Sequence, residues 1–191
     1  MIQTLEKPKD QRLVHSGIYW QQFKLIQQGF SDSPGIKLFY YNGEVEIVAV
    51  SPEHEAISRI INILLSLYFV RKRIEFTPTG SFTQEREGEA SAQGDESYFI
   101  GRVTGTVPDL SIEVVFTSGN ESKLSRYRAL GVPEVWFWED GVFALYALRD
   151  RGYDRISRSE LLPDLDVDLL GRCLLMSSTV EAVLEFERGI S

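Results

Sequence analysis

The sequence predicts a mixed α/β (α+β) domain in which a sheet of several strands is flanked by helices. Three observations carry this. Asn42-Gly43 separates two apolar, β-prone runs, the strongest short-range hairpin signal a sequence offers. Ser51-Pro52 opens a long stretch with apolar residues at three- and four-residue steps, the mark of a helix with one buried face. Leu110 to Phe116, rich in β-branched residues, is followed by a helical segment and then by a further strand at Val135.

Taken in order, Ile18, Trp20, Phe23, Leu25, Ile26 and Phe30 line a short helix, which Ser31 to Gly35 breaks. Lys37 to Tyr41 and Glu44 to Val50 are the arms of the hairpin. Ser51 caps the next helix and Pro52 suits its first position. Its buried face is read as Ala56, Ile57, Ile60, Ile61, Leu64, Leu67 and Tyr68, and it ends near Arg71 to Arg73, where cations suit the dipole. Ile74 to Thr79 and Ser81 to Thr83 read as short strands, and Glu85 to Gly94 as a loop. Ser97 to Val103 and Leu110 to Phe116 read as two strands joined at Thr104-Gly105. Ser118 and Glu121 form a capping box for a helix running to Leu130, stopped by Gly131. Val135 to Glu139 and Val142 to Leu148 make another hairpin, Tyr153 to Ile156 a further strand, and Ser178 with Glu181 caps a last helix ending near Gly189. Residues 1–36 are read as an N-terminal extension packing on the core, and 37–191 as a single domain.

Composition narrows the chemistry. The 191 residues carry a net charge of −8, with 43% hydrophobic and 25% charged residues, which excludes wholesale disorder. The single cysteine, Cys173, cannot form an internal disulfide or a cysteine-rich zinc cluster, and it points to a reducing compartment. Met1 to Lys9 has no apolar signal core, and Ile60 to Val70 is too short to span a bilayer, so a cytoplasmic protein with no membrane partner is expected. The acidic balance argues against an extended nucleic-acid coat and leaves room for one basic cleft. With only His15 and His54, a histidine-rich metal site is excluded. No Gly-x-Ser-x-Gly elbow, Walker loop or Gly-x-Gly-x-x-Gly turn is present. Carboxylates and lysines remain, the groups used in divalent-metal phosphodiester chemistry.

If Thr104-Gly105 is the turn, Glu113 lies opposite Glu96 with Asp95 one step away. Cross-strand Cβ atoms sit roughly 4.5–5.5 Å apart, close enough for two carboxylates to share one cation. A one-residue slip decides between Asp95 and Glu96. Glu113 lies in an otherwise apolar strand, and a buried carboxylate needs a cation or a metal. Lys123, early in the next helix, can approach it as a point charge on a phosphate, with Arg126 and Arg128 extending a basic surface. Asp109 is the rival first acid; on a regular strand it is about 13 Å from Glu113, too far for one ion unless Pro108 or a bulge bends the strand start. Glu44 and Glu46 on the hairpin, and His54 in the first turn of the long helix, are further candidates.

Gly43 to Val48, Ser51 to His54, Asp95 to Tyr98, Pro108 to Val114, Lys123 to Tyr127 and Gly131 to Trp136 resemble the Uma2-type endonuclease family, a domain of unknown function (DUF820) common in cyanobacteria. That family belongs to the PD-(D/E)xK restriction-endonuclease-like superfamily. The resemblance spans residues 37–148 and implies a nuclease-like core with a divalent metal, Mg²⁺ or Mn²⁺, held by an Asp on one strand and a Glu on the next. Carried residue by residue, it places the Asp on Asp95, the Glu on Glu113, the helix lysine on Lys123 and the hairpin acid on Glu44, with Tyr127 in the lysine's motif. Gly94 precedes Asp95 where the family has Pro, and Val115 stands where the superfamily has Lys. The resemblance implies DNA as substrate and a homodimer by analogy. The alternative is a catalytically inactive nuclease-fold module for nucleic-acid or protein interaction.

Overall fold

The computed structural model describes residues 10–101, 105–116 and 120–190, the side chains of 120–122 excepted. In chain order the elements are β1 (Gln11–Ser16), α1 (Trp20–Gly29), β2 (Ile36–Tyr41), β3 (Glu44–Ala49), α2 (Pro52–Lys72), β4 (Phe76–Pro78), β5 (Thr83–Arg86) and β6 (Ala90–Gln93). Then follow β7 (Glu96–Ile100), β8 (Leu110–Val114), α3 (Asn120–Leu130), β9 (Glu134–Glu139), β10 (Val142–Arg149), β11 (Gly152–Ile156), α4 (Val167–Leu174) and α5 (Thr179–Gly189). The expected mixed α+β class holds, with the strands divided between two sheets, ordered β1-β3-β2-β6-β5 and β11-β10-β9-β8-β7-β4. Among the described residues only β8 and β9 pair in parallel, with α3 as their crossover.

Local chemistry explains the elements that position the site. Asn42 and Gly43 have φ of 47° and 83°, the pair of positive values a tight two-residue hairpin demands. In α2 the Ser51 hydroxyl accepts from the His54 N–H, and Arg73 closes the helix in the left-handed region. In β8, Leu110, Ile112 and Val114 pack with Trp136 and Trp138 against α2, α4 and α5. The alternate face, through Val115, packs with Val135, Phe137, Tyr127 and Phe39, toward α3 and the first sheet. The two-residue period of the strand therefore sends Glu113 between the two sheets rather than to solvent. A third apolar cluster, Phe23 with Leu38, Tyr40 and Val45, seats α1 on the far side of the first sheet.

Several expectations are corrected. The segment read as a loop, Glu85 to Gly94, contributes to the β5–β6 hairpin, hidden in the sequence because β5 is an edge strand with polar residues on both faces. Strand β1 and helix α4 are absent from the expected elements; β1 is exposed along its whole length, whereas α4 carries a readable signal, Asp166 as cap and Leu169, Leu170, Cys173 and Leu174 at helical spacing. Ala56 is exposed, and the buried stripe of α2 instead begins with His54 and Ser58, polar residues kept inside by hydrogen-bond partners. The β7–β8 register is one step from that expected: Glu96 faces Ile112 and Ser97 faces Ser111, so Glu113 falls opposite Asp95. Thr104 of the expected turn, and Ser118 of the expected capping box, lie outside the described residues.

Candidate active site

Asp95 ends the β6–β7 connection. Its N–H donates to the Ile112 carbonyl at 2.9 Å, which sets it beside Glu113 at the end of the ladder. One Asp95 oxygen, Oδ1, receives the Lys37 ammonium and lies 2.7 Å from His54 Nε2, while Oδ2 accepts the Val114 N–H at 2.6 Å. Glu113 accepts from Lys123 Nζ at 3.0 Å on one oxygen and from the Tyr127 hydroxyl at 2.5 Å on the other. Beyond His54, its Nδ1 lies 2.7 Å from Asp10. Glu46, on β3, is clasped between Arg12 and Arg126, the latter donating at 2.6 Å. All of these are buried except Arg12, whose side chain is 31% exposed at the rim.

Burial alone would raise the Asp95 carboxyl, but the charge of Lys37 and the hydrogen bond and charge of His54 hold it well below the usual carboxylate range. Burial would lower His54; hydrogen bonds and charges from Asp10 and Asp95 overcome it and push the imidazole up to about 9, so both nitrogens are protonated at neutral pH. Glu46, desolvated by burial, is held below its ordinary value by the charges of Arg126 and Lys123 and by hydrogen bonds from Arg126 and Arg12. Burial and the negative charge of Glu113 push the Tyr127 hydroxyl well up, which keeps it a donor. Position 94 is tight: a Cβ there would lie 3.3 Å from the Tyr127 hydroxyl and 3.4 Å from the Ile112 carbonyl. That crowding favours glycine at this position.

These side chains line a cavity of about 20 Å³, large enough for one water or ion. Four acids (Asp10, Glu46, Asp95, Glu113) and four bases (Arg12, Lys37, His54, Lys123) face it, so its walls are close to neutral. A groove of about 940 Å³ opens beside it and shares Lys37 and Asp95 as its floor. No cluster of three or more His, Cys, Asp or Glu is arranged to hold a metal among the described residues. Two carboxylates, those of Asp95 and Glu113, face the cavity, a donor set of the kind that Mg²⁺ takes together with water or phosphate oxygens, and each of their oxygens also receives a protein donor.

Of the residues singled out from sequence, the fold gathers Asp95, Glu113, Lys123, Tyr127, Glu46 and His54 around this cavity. Glu96 is fully buried but turned away, accepting from Ser58 and Asn62, and burial raises its carboxyl. Asp109 accepts the Ile100 N–H at 2.8 Å, outside the cavity. Glu44 is exposed and lines a neighbouring cavity with Tyr41, Ser125 and Arg126. Both tryptophans of β9 are buried, which removes them as base-stacking platforms. Lys37, Asp10 and Arg12 were not legible as site residues. Lys37 carried the signal that marked Glu113, a charge inside an apolar strand; Asp10 and Arg12 carried none.

Comparison with known proteins gives the class first. A family profile described as "Putative restriction endonuclease" matches residues 20–176, which supports a nuclease. The chain belongs to that family, Uma2. The resemblance read from the motifs is thus borne out, and the match runs beyond the 37–148 core on both sides. A crystal structure described as a "putative nuclease belonging to DUF820", from Anabaena variabilis, is similar over 78% of this chain and 90% of that one, with 13% identity and a TM-score of 0.44. No curated protein matches in sequence. Among the described residues no helix is long and apolar enough to cross a membrane.

Proposed function

We propose that this chain is a divalent-metal-dependent endonuclease that hydrolyses DNA phosphodiester bonds at the Asp95–Glu113 pair. The observation that carries the reading is the meeting of Asp95, Glu113 and Lys123, from three separate elements, around one ion-sized cavity. Asp95 and Glu113 would hold Mg²⁺ or Mn²⁺ through their carboxylate oxygens. Such an ion, when bound, polarises a phosphate and makes a bound water a better nucleophile. The Val114 N–H and the Tyr127 hydroxyl fix the two carboxylates in place. Lys123 and Lys37 supply fixed positive charge where a phosphorane gathers negative charge, and the groove floored by Lys37 and Asp95 is the path of approach. The test is cleavage of supercoiled and linear DNA with Mg²⁺, Mn²⁺ or EDTA, comparing wild type with Asp95→Asn and Glu113→Gln. Metal-dependent cutting lost in both variants supports the reading; cutting that survives both variants removes the site.

A second reading, the inactive nuclease-fold module, is favoured by one feature: every oxygen of Asp95 and Glu113 already receives a protein donor. Binding of DNA without cleavage under any metal, unchanged by Glu113→Gln, is its signature.

A further inference from the structure

Strand β1 contributes almost nothing to the core. All six of its residues are exposed, Leu13 at 61% and Val14 at 40%. It pairs with β3 along its whole length, yet what it carries inward is charge rather than apolar surface. Just before it, the side chain of Asp10 points inward: one carboxylate oxygen accepts the Ser51 N–H at the start of α2, and the other lies 2.7 Å from His54 Nδ1. One residue into the strand, Arg12 reaches Glu46 inside the cavity. Both precede residue 20, where the family match begins.

We propose that Asp10 is a positioning residue for the active site, holding the His54 ring so that Nε2 faces Asp95, and that β1 is the strap that delivers it. The argument is geometric and rests on the nuclease reading above. His54 touches Asp95 and Asp10 through opposite nitrogens, so the ring is clamped at both ends. Asp95 is in turn fixed by Lys37 and by the Val114 N–H. Without Asp10 the ring loses one of its two anchors and is free to rotate about its χ2 torsion, and Asp95 loses a rigid neighbour. Groups that hold a metal-binding carboxylate from outside commonly change affinity or activity by 10- to 100-fold when removed. A purely structural Asp10 would act as a cap on α2 through Ser51 and leave the site's chemistry alone.

The test uses the full chain with Asp10→Ala, the near-isosteric Asp10→Asn, His54→Gln and the Asp10→Ala/His54→Gln double variant, on a labelled DNA duplex with Mg²⁺ or Mn²⁺. Asp10→Ala and Asp10→Asn should lower kcat about tenfold or more with KM little changed. The double variant should be no slower than His54→Gln alone, because Asp10 acts through that ring. Independently of activity, the metal-free protein offers a spectroscopic reading, since His15 is exposed and His54 is the one other histidine. The His54 Nδ1–H should be protected from exchange in wild type and lost in Asp10→Ala. Wild-type kcat in both Asp10 variants, or additive losses in the double variant, would overturn the proposal. If wild type cuts no DNA, the nuclease reading falls first, and an unprotected His54 proton in wild type then removes the clamp as well.

Discussion

The ion pair between Glu113 and Lys123 ties folding and chemistry together, and Glu113→Gln separates them. Glu113 is 3% exposed and Lys123 9%, and the carboxylate also accepts from Tyr127. The glutamine keeps the shape and one acceptor but removes the nearest counter-charge of the Lys123 ammonium, leaving it Glu46, which Arg12 and Arg126 already pair. Removing one partner of a buried pair costs about 3–5 kcal/mol. Lys123 sits in the first turn of α3 with a four-carbon arm that can carry its charge toward water, which lowers the expected loss to about 2 kcal/mol. For a chain of this size that is a fall in Tm of about 4–8 °C. Adding Lys123→Met removes the orphaned cation and should recover half or more of the loss, a coupling of about 1–2 kcal/mol in a denaturant-based double-mutant cycle. Cleavage should fall at least about 100-fold in Glu113→Gln and should not return in the double variant, because stability needs neutralisation whereas catalysis needs the carboxylate itself. Additive stabilities would refute the buried pair, and wild-type cutting by Glu113→Gln would refute the site.

Three further outcomes follow from the same geometry. Lys37→Met removes one of the two cationic partners of Asp95 Oδ1, His54 being the other, so Ca²⁺ or Mn²⁺ should raise the melting temperature more in the variant than in wild type, by about 3 °C for tenfold tighter binding; an equal or smaller shift means that lysine and metal do not compete. His54, raised from 6.5 to about 9, stabilises the fold as its cation, so this contribution is complete below pH 6.5 and is lost as pH rises through about 9. In EDTA, wild-type stability should drop by up to about 3 kcal/mol across that window and His54→Gln should flatten the slope; parallel pH profiles would contradict the assignment. Gly94→Ala presses a methyl group against the Tyr127 hydroxyl and the immovable Ile112 carbonyl, and should cost about 1–2 kcal/mol in melts, whereas a neutral result would show slack in that wall.

Much of the site's cast was legible because burial punishes unpaired charge. Glu113 declared itself as a charge inside the mostly apolar run Leu110 to Val114, and Lys123 by its place in the first turn of the helix that follows that strand. The β2–β3 hairpin and α2 were legible because Asn42-Gly43 and Ser51-Pro52 act through local backbone chemistry. What failed was non-local. The choice between Asp95 and Glu96 hung on a single register step, and the turn residues alone do not set it; the Asp95 N–H to Ile112 bond does. The edge strands β5 and β1 carry no alternation to read, because β5 is polar on both faces and β1 is exposed along its whole length.

Composition and local pattern by themselves determined an α+β chain, two of its turns, its long helix and the residue types available for chemistry. Which charges meet was decided by tertiary structure alone. Lys37 and His54 come together on Asp95 from β2 and α2, and Asp10, from the segment before β1, meets the far side of His54, all separated in sequence by tens of residues. No short-range rule encodes such a meeting, because its energy comes from bringing opposite charges into a dry space that exists only once two sheets and a helix have closed around it.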